Sequence, residues 1–292
     1  MQPQNFFQEN FLSIIFLAAI ILYGFVSVRR ALQQRDLPIE EDTTTTDRLV
    51  YHGDELDLSD EDVSHILSTY HSYYSNISAE LQTAFKERLQ KFMRQKTFII
   101  YAKEGYKEMP VLTSAAAIQV SFGLDKFLLP WFPFIQIHIE EYFDGDSLKV
   151  LNGGIEGNAI TVAWNQLIKG NEDAADGENV GIHEMAHALY YQNVVVEKKE
   201  ADFKKHFYEV MEQGRKIFDQ RDARPAVFNE YAYKNLQEFW AESVEMFFER
   251  PAVMQAACAE LFIILKQLLR QDPLNKSNPL LEIPKSSKTN LF

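Results

Sequence analysis

The sequence is nearly free of cysteine: Cys258 is the single thiol among 292 residues. One cysteine excludes an internal disulfide framework and is compatible with a reducing compartment. Cys258 lies in an alanine-rich run, where a small buried residue is more common than a nucleophile. The chain must therefore be held together by its core, and a hydrophobic content of 46% is enough to form one.

Positive charge is also scarce. Lys and Arg number 29 against 42 Asp and Glu, which gives a net charge of −13. Nucleic-acid binding requires a basic surface, and no cluster of Lys and Arg offers one. We therefore expect no nucleic-acid partner.

Long apolar runs are limited to residues 11–28, eighteen residues without a charge. This length is near the lower limit for a membrane-spanning helix. A cleaved signal peptide would place basic residues before the run and a small-residue cleavage site after it. Here Glu9 precedes the run, and Arg29 and Arg30 follow it. The positive-inside rule then predicts a single-pass anchor, with the bulk of the protein on the cytoplasmic face.

The remaining organisation follows from composition and periodicity. The chain is predicted to consist of a short N-terminal tail (1–10), the transmembrane helix (11–28), an acidic linker (29–61), a folded domain (62–272) and a disordered tail (273–292). Apolar spacing predicts two helices between Ile66 and Phe92, with Ser78 as the N-cap of the second. Further helices are predicted at 113–122 and 252–271, and strands at 97–101, 134–139 and 159–164. The domain should be a helix-rich α+β fold with a small sheet.

The most informative motif is His183-Glu184-Met185-Ala186-His187. Two histidines four residues apart on a helix lie on one face, about 5–6 Å apart at Cβ, so both imidazoles can reach one metal ion. Glu184 lies roughly 100° around the helix, where its carboxylate can face a metal-bound water. This is the HExxH arrangement of zinc peptidases, two nitrogen ligands and a general base. The apolar flanks predict a buried helix, in which unpaired histidines are costly, so a purely structural role is disfavoured.

A zinc site built on two histidines needs a third protein ligand. The metzincin extension is excluded, because Tyr190 and Asn193 stand where that class needs glycine and histidine. His206 is the only downstream histidine, but it lies beside Lys204 and Lys205, a poor setting for a cation. The remaining solution is that of the gluzincins, a glutamate from a second, downstream helix.

The segment 237–248 is apolar around most of its circumference, yet carries Glu238, Glu242 and Glu245 on one stripe. Acids in a buried helix need a cation or donors opposite them. Glu238 is therefore predicted as the third zinc ligand. Glu242 is predicted to accept the other ring N–H of a ligating histidine. Glu245 is either an alternative to Glu242 or the exposed end of the stripe.

Two further features stay open. Tyr231, seven residues before Glu238, is either a donor to the oxyanion of the reaction or a packed aromatic. The strand at 159–164, ahead of the motif helix, either lines the cleft and binds an extended substrate through its backbone or is an ordinary sheet strand.

Together these residues resemble the Mlc titration factor (MtfA) family of zinc-dependent peptidases, which is related to the anthrax lethal factor catalytic domain. The resemblance covers roughly residues 81–272. It rests on the acidic loop and motif helix at 176–187, on the strand ending in Ala163-Trp164, and on Tyr231 with the glutamate helix at 238–242. The chain departs from the family pattern after the HE pair, at Met185, and after the second histidine.

The resemblance implies a gluzincin-like fold with one Zn2+. It implies the ligands His183, His187 and Glu238, the base Glu184 and the transition-state donor Tyr231. The expected protein is then a zinc metallopeptidase, anchored in the inner (plasma) membrane of a bacterium and facing the cytoplasm, with a peptide or protein substrate and a possible protein regulator. The alternative is a zinc-containing regulatory binding protein that captures a partner without hydrolysing it. The intact Glu184 favours the enzyme, because a structural zinc site needs no base.

Overall fold

The computed structural model describes residues 48–144, 149–196, 201–219 and 225–281, which belong to one structural unit. The predicted transmembrane helix, the tail before it and most of the predicted linker lie outside these residues. Among the helices that are described, none is long and apolar enough to cross a membrane.

A mixed sheet forms one layer of the fold. Its strands are β1 (Leu49–His52), β2 (Thr97–Tyr101), β3 (Phe134–His138), β6 (Gly153–Glu156) and β7 (Ala159–Ala163), in the spatial order β1-β2-β3-β7-β6. β2, β3 and β7 are parallel, whereas β1 and β6 pair antiparallel at the two edges. A separate antiparallel hairpin joins β4 (Tyr142–Asp144) to β5 (Lys149–Leu151), immediately before β6. The three predicted strands are confirmed, to within one residue at their ends.

The position of β7 distinguishes between its two predicted roles, which are substrate binding through its backbone and ordinary pairing within the sheet. β7 pairs with β3 on one side and with β6 on the other, and all of its residues are buried. Its backbone groups are therefore already used within the sheet. β7 is an ordinary central strand, and the strand at this edge is β6.

The other regular elements of the described chain are helices. They are α1 (Asp60–Tyr70), α2 (Ser72–Asn76), α3 (Ala79–Met93), α4 (Glu108–Ser121), α5 (Trp164–Glu172), α6 (Val180–Tyr190), α7 (Ala201–Asp219), α8 (Leu236–Glu249), α9 (Pro251–Ala257) and α10 (Ala259–Leu269). A π-helical segment at Tyr191–Val196 extends α6, and a 3-10 turn at Glu230–Tyr233 precedes α8. The predicted helix-rich α+β fold with a small sheet is confirmed.

Two helix predictions have different outcomes. Ser78 caps α3 as expected, since its side chain accepts a hydrogen bond from the backbone N–H of Leu81 at 3.4 Å. The single helix predicted at 252–271 is instead two helices, α9 and α10. They meet at Cys258, whose φ of −140° and ψ of 58° are not helical. An alanine-rich run continues the apolar pattern through this break, so periodicity alone could not reveal it.

The folded part extends beyond both predicted domain boundaries. β1 lies within the predicted linker and pairs with β2, with Leu49 opposite Ile100. At the other end, the backbone of Ser277 accepts a hydrogen bond from Ser78, and Leu280 is buried. Residues 273–281 of the predicted disordered tail therefore pack on the domain. Both predicted boundaries rest on average composition. Such an average does not detect one short strand, β1, or one buried leucine, Leu280, in polar surroundings.

The core that positions α6 is formed largely by α4, an alanine-rich helix in which all residues from Met109 to Ser121 are buried. α6 packs against α4, α8, β6 and β7. A Cβ atom at Gly181 of α6 would lie 3.0 Å from the Cβ of Ala116 and 2.7 Å from a methyl group of Leu167. The absence of a side chain at Gly181 thus lets α6 approach its neighbours closely.

Candidate metal centre

The start of α6 is fixed by its N-cap, Asn179. The side-chain oxygen of Asn179 accepts a hydrogen bond from the backbone N–H of Ile182 at 3.1 Å. Its amide nitrogen donates to Glu249 Oε1 at 3.1 Å, and its backbone N–H donates to Glu245 Oε1. Asn179 thus both begins the motif helix and ties it to the last turns of α8.

One further hydrogen bond joins the two helices, and an N-cap fixes the start of α8. The indole N–H of Trp240, in the fully buried centre of α8, donates to the backbone oxygen of Ala186 at 2.8 Å. At the start of α8, the side chain of Asn235 accepts hydrogen bonds from the backbone N–H groups of Gln237 and Glu238. These contacts hold the first turn of α8 opposite the histidines of α6.

Three side-chain atoms converge between these helices. Nε2 of His183 lies 3.2 Å from Nε2 of His187 and 3.2 Å from Oε2 of Glu238. Nε2 of His187 lies 3.3 Å from the same Glu238 oxygen. Tetrahedral zinc with bonds of about 2.1 Å would place its ligand atoms roughly 3.4 Å apart. The three predicted ligands therefore fit one such ion.

The electrostatics of this cluster also favour a cation. Burial opposes ionisation of Glu238, but hydrogen bonds with His183 and His187 outweigh it and hold the pKa of Glu238 well below its ordinary value. Burial opposes charge on His183 as well, yet Glu238 and Glu245 raise its pKa well above the ordinary value. An ionised carboxylate and two largely buried imidazoles form a donor set that suits zinc.

The far ring nitrogen of His183 is held by α8. Its Nδ1 lies 3.1 Å from Glu245 Oε2 but 3.8 Å from Glu242 Oε1. The hydrogen bond that the sequence assigned to Glu242 is therefore made by Glu245, which is buried and is not the exposed end of the stripe. On a helix, residue 245 lies about 20° from residue 238 and residue 242 about 40° from it, so Glu245 is closer to the face of the metal ligand.

Glu242 remains close to the centre without a full set of partners. Its Oε2 atom is buried and has no hydrogen-bond partner among the described residues. Burial, with the neighbouring charge of Glu245, raises the pKa of Glu242 to about 7. Its predicted role as an acid supporting the metal ligands stays a prediction.

The carboxylate of Glu184 lies against the edge strand β6. A Cβ atom at Gly153 would lie 2.6 Å from Glu184 Cγ and 2.7 Å from its Oε1 atom, so a larger residue here would displace this side chain from its present position. Glu184 is 6% exposed, and within the described part of the chain no donor forms a hydrogen bond to it. Burial raises the pKa of Glu184, against the opposing effect of the two histidines. A carboxylate in this setting is free to exchange a proton with a bound molecule.

Tyr231 lies at the rim of the centre, on the 3-10 turn that Asn229 caps. Its ring centroid is 5.9 Å from that of His183, and 42% of the residue is exposed. Lys234 Nζ lies 3.3 Å from the centroid of the phenol ring. Burial, followed by the charge of Glu238, raises the pKa of Tyr231 to about 12. The phenol therefore keeps its proton at neutral pH and is available as a donor.

Sequence reasoning did not identify two residues that build this centre and a third, Glu249, that contacts its N-cap residue Asn179. Glu249 continues the acidic stripe by four residues, and this spacing could have revealed it. Asn179 precedes an apolar helical run, which is an N-cap signal. Gly153 had no such signal, because only the pairing of β6 with β7 brings it to Glu184.

Replacing Glu245 by Gln should weaken metal binding by roughly 10- to 100-fold, because the ring N–H of His183 would lose its charged acceptor. The measurement is the metal affinity of the purified variant by competition with a chelating dye. Glu242→Gln is the matched comparison and should have a smaller effect, since Glu242 is farther from the ring. Equal losses in the two variants would contradict the assignment of the hydrogen bond to Glu245.

The model of one family, described as glucose-regulated metallo-peptidase M90, matches residues 54–270. A search of curated proteins found no match. The matched region contains α6, α8 and the metal centre between them, and it agrees with the resemblance to the MtfA family. Since it covers well over half of the chain, the protein belongs to the glucose-regulated metallo-peptidase M90 family.

Proposed function

We propose that the protein is a zinc-dependent peptidase of the gluzincin type. The observation that carries this proposal is the convergence of His183, His187 and Glu238, with their ligand atoms 3.2–3.3 Å apart, beside a buried Glu184 that is not a member of the triangle. Membership of a metallopeptidase family supports the same conclusion. The three residues would hold the ion, and Glu184 remains for proton transfer.

A zinc ion bound here would polarise the scissile carbonyl and lower the pKa of a water molecule. Glu184 takes the proton of the attacking water and later delivers it to the leaving amine. Its carboxylate lies next to Gly153 of β6, where the absence of a side chain leaves space for it. Glu245 holds the His183 ring in place through Nδ1, so the other ring nitrogen stays directed at the ion.

The substrate of this chemistry is a peptide or a protein. β6 is the edge strand of the sheet, pairs with β7 on one side, and lies against Glu184 through Gly153. An extended peptide that added to the outer edge of β6 would pass the carboxylate of Glu184. If the edge of β6 binds only the backbone of the substrate, the surrounding surface determines which substrate side chains are accepted.

Tyr231 is proposed to donate its phenolic proton to the oxyanion that forms on the substrate carbonyl. Tyr231→Phe should then lower kcat by about 10²-fold, as expected for the loss of one oxyanion donor. The substrate KM and the metal content should change little, because the ring and the metal ligands remain. Steady-state kinetics on one defined peptide measure this effect. An unchanged kcat would assign Tyr231 to packing.

The sequence predictions of a membrane anchor and a cytoplasmic orientation extend this proposal. An enzyme anchored through residues 11–28 would act on substrates or regulators at the cytoplasmic face of the inner membrane. Fractionation of cells, followed by protease treatment of intact spheroplasts, tests both points. Recovery in the soluble fraction, or digestion from outside, would reject the predicted location.

The test of the central proposal combines zinc analysis with hydrolysis of a mixed peptide library by the full chain. We expect one zinc ion per chain and cleavage that a chelator abolishes and added zinc restores. Zinc without cleavage would favour the alternative, a regulatory binding protein that captures a partner. Failure to bind zinc would reject the ligand assignment itself.

A further inference from the structure

A second concave site lies at the end of α8 that is remote from Glu238. It is a cavity of about 670 Å³ between α2, the end of α5, the start of α6 and the segment 273–279. This volume is within the range of sites that bind small organic molecules. The cavity is not lined by any of the three metal ligands, so it is distinct from the metal centre.

Two polar atoms at the wall of this cavity have no hydrogen-bond partner within the part of the chain that the structure describes. Glu249, which is 6% exposed, uses Oε1 to bind Asn179, but its Oε2 atom has no hydrogen-bond partner among the described residues. The same holds for the amide nitrogen of Asn171. Buried polar atoms in folded proteins are nearly always paired. Within the described chain, the carboxylate oxygen of Glu249 and the amide N–H of Asn171 are unpaired at one cavity wall. They indicate a ligand that carries both a hydrogen-bond donor and an acceptor.

The charged and apolar residues that line the cavity indicate which class of ligand it can bind. Besides Glu249, the cavity is lined by Arg250, which forms no ion pair within the described part of the chain, and by the exposed Lys276. Phe248 and Val253 contribute apolar wall. Burial raises the pKa of Glu249 to about 8, although the side-chain amide of Asn179 and the backbone N–H of Gly177 oppose this rise.

We propose that this cavity binds a short peptide with free termini. Its ammonium group pairs with Glu249, its carboxylate is held by Arg250 and Asn171, and its side chains pack on the apolar wall. A purely anionic ligand would leave the ionised form of Glu249 without a partner, and a purely cationic one would leave Arg250 without one. The binding itself does not require that the protein hydrolyse peptides.

The cavity is connected to the metal centre by hydrogen bonds. Glu249 binds the side chain of Asn179, the backbone N–H of Asn179 binds Glu245, and Glu245 binds the ring of His183 at 3.1 Å. A ligand that reorients Glu249 therefore acts on a chain of groups that ends at a metal ligand. Linkage requires that the metal alters peptide affinity by the same factor by which the peptide alters metal affinity.

The experiment measures binding of the tripeptide Ala-Leu-Ala to the metal-loaded full chain by calorimetry, with the N-acetylated and C-amidated tripeptides as matched probes. We expect the free tripeptide to bind and each blocked form to bind roughly tenfold more weakly, since each lacks one charged contact. Glu249→Gln should weaken binding of the free tripeptide by a similar factor. Glu172→Gln, an exposed acid next to Asn171 but outside the cavity, should leave it unchanged.

Val253→Trp provides a second variant, which adds a large side chain at the cavity wall and should also abolish binding. The proposal is overturned if the tripeptide does not bind, if blocking its termini has no effect, or if Val253→Trp binds normally.

The connection to the metal is measured separately, as the metal affinity with and without saturating Ala-Leu-Ala. A change of about fivefold or more supports it, and an unchanged affinity overturns it. None of these measurements depends on peptidase activity.

Discussion

Replacing Glu184 by Gln should reduce peptide hydrolysis by about 10²- to 10⁴-fold while leaving the metal content unchanged. Gln has nearly the shape of Glu and fits the same space beside Gly153. It cannot accept the proton of the attacking water, so the loss should appear in kcat rather than in KM. The measurement is kcat and KM on a peptide chosen from the library, together with metal analysis of the same preparation.

Glu178→Gln is the matched control for this variant. Glu178 is an exposed acid on the loop before α6, where it forms an exposed ion pair with Lys169 at 3.1 Å. Its replacement removes the same charge from the same part of the chain, and we expect near-normal kinetics because exposed pairs contribute little. Retained activity in Glu184→Gln would contradict the assignment of the base. Loss of metal from that variant would instead indicate that Glu184 has a structural part in holding the ligands.

The pair of helices at the metal centre could be predicted from the sequence because each signal is local. His183 and His187 are four residues apart, and one helical turn brings their rings together whatever the remaining fold. The acidic stripe on α8 was detectable because charge is rare in a helix that is otherwise buried. Such local patterns also predicted the strands and the N-cap of α3.

The remaining parts of the centre depend on contacts that are distant in sequence. Gly153 meets Glu184 only because β6 turns back along β7 at the sheet edge. The choice between Glu242 and Glu245 depends on the rotation of α8 against α6, which the Trp240 hydrogen bond and the Asn179 cap determine. A sequence pattern gives the face of a helix to within a few tens of degrees, and this is too coarse to separate two acids three residues apart.

Glu238→Ala should produce the largest effect on the metal centre. It removes one of three converging ligand atoms and the only anionic one among them, so metal affinity should fall by more than the roughly 100-fold that loss of a supporting residue can cause. Metal at 100 times its Kd would raise the free energy of unfolding of the parent by about 2.7 kcal/mol, and this stabilisation should vanish in the variant. Thermal unfolding with and without added zinc measures it directly.

Glu242→Ala is the control that separates a ligand from a nearby acid. Glu242 is one turn further along α8, is more buried than Glu238 (side-chain exposure 7% against 20%), and lies 3.8 Å from the far nitrogen of His183. If Glu238 is the ligand, Glu242→Ala should keep most of the zinc-dependent stabilisation while Glu238→Ala loses it. The reverse order would move the ion to the Nδ1 side of His183, where Glu242 and Glu245 form a second group of possible ligands. No ion would then lie beside Glu184, because His183, His187 and Glu238 would form only a hydrogen-bonded cluster.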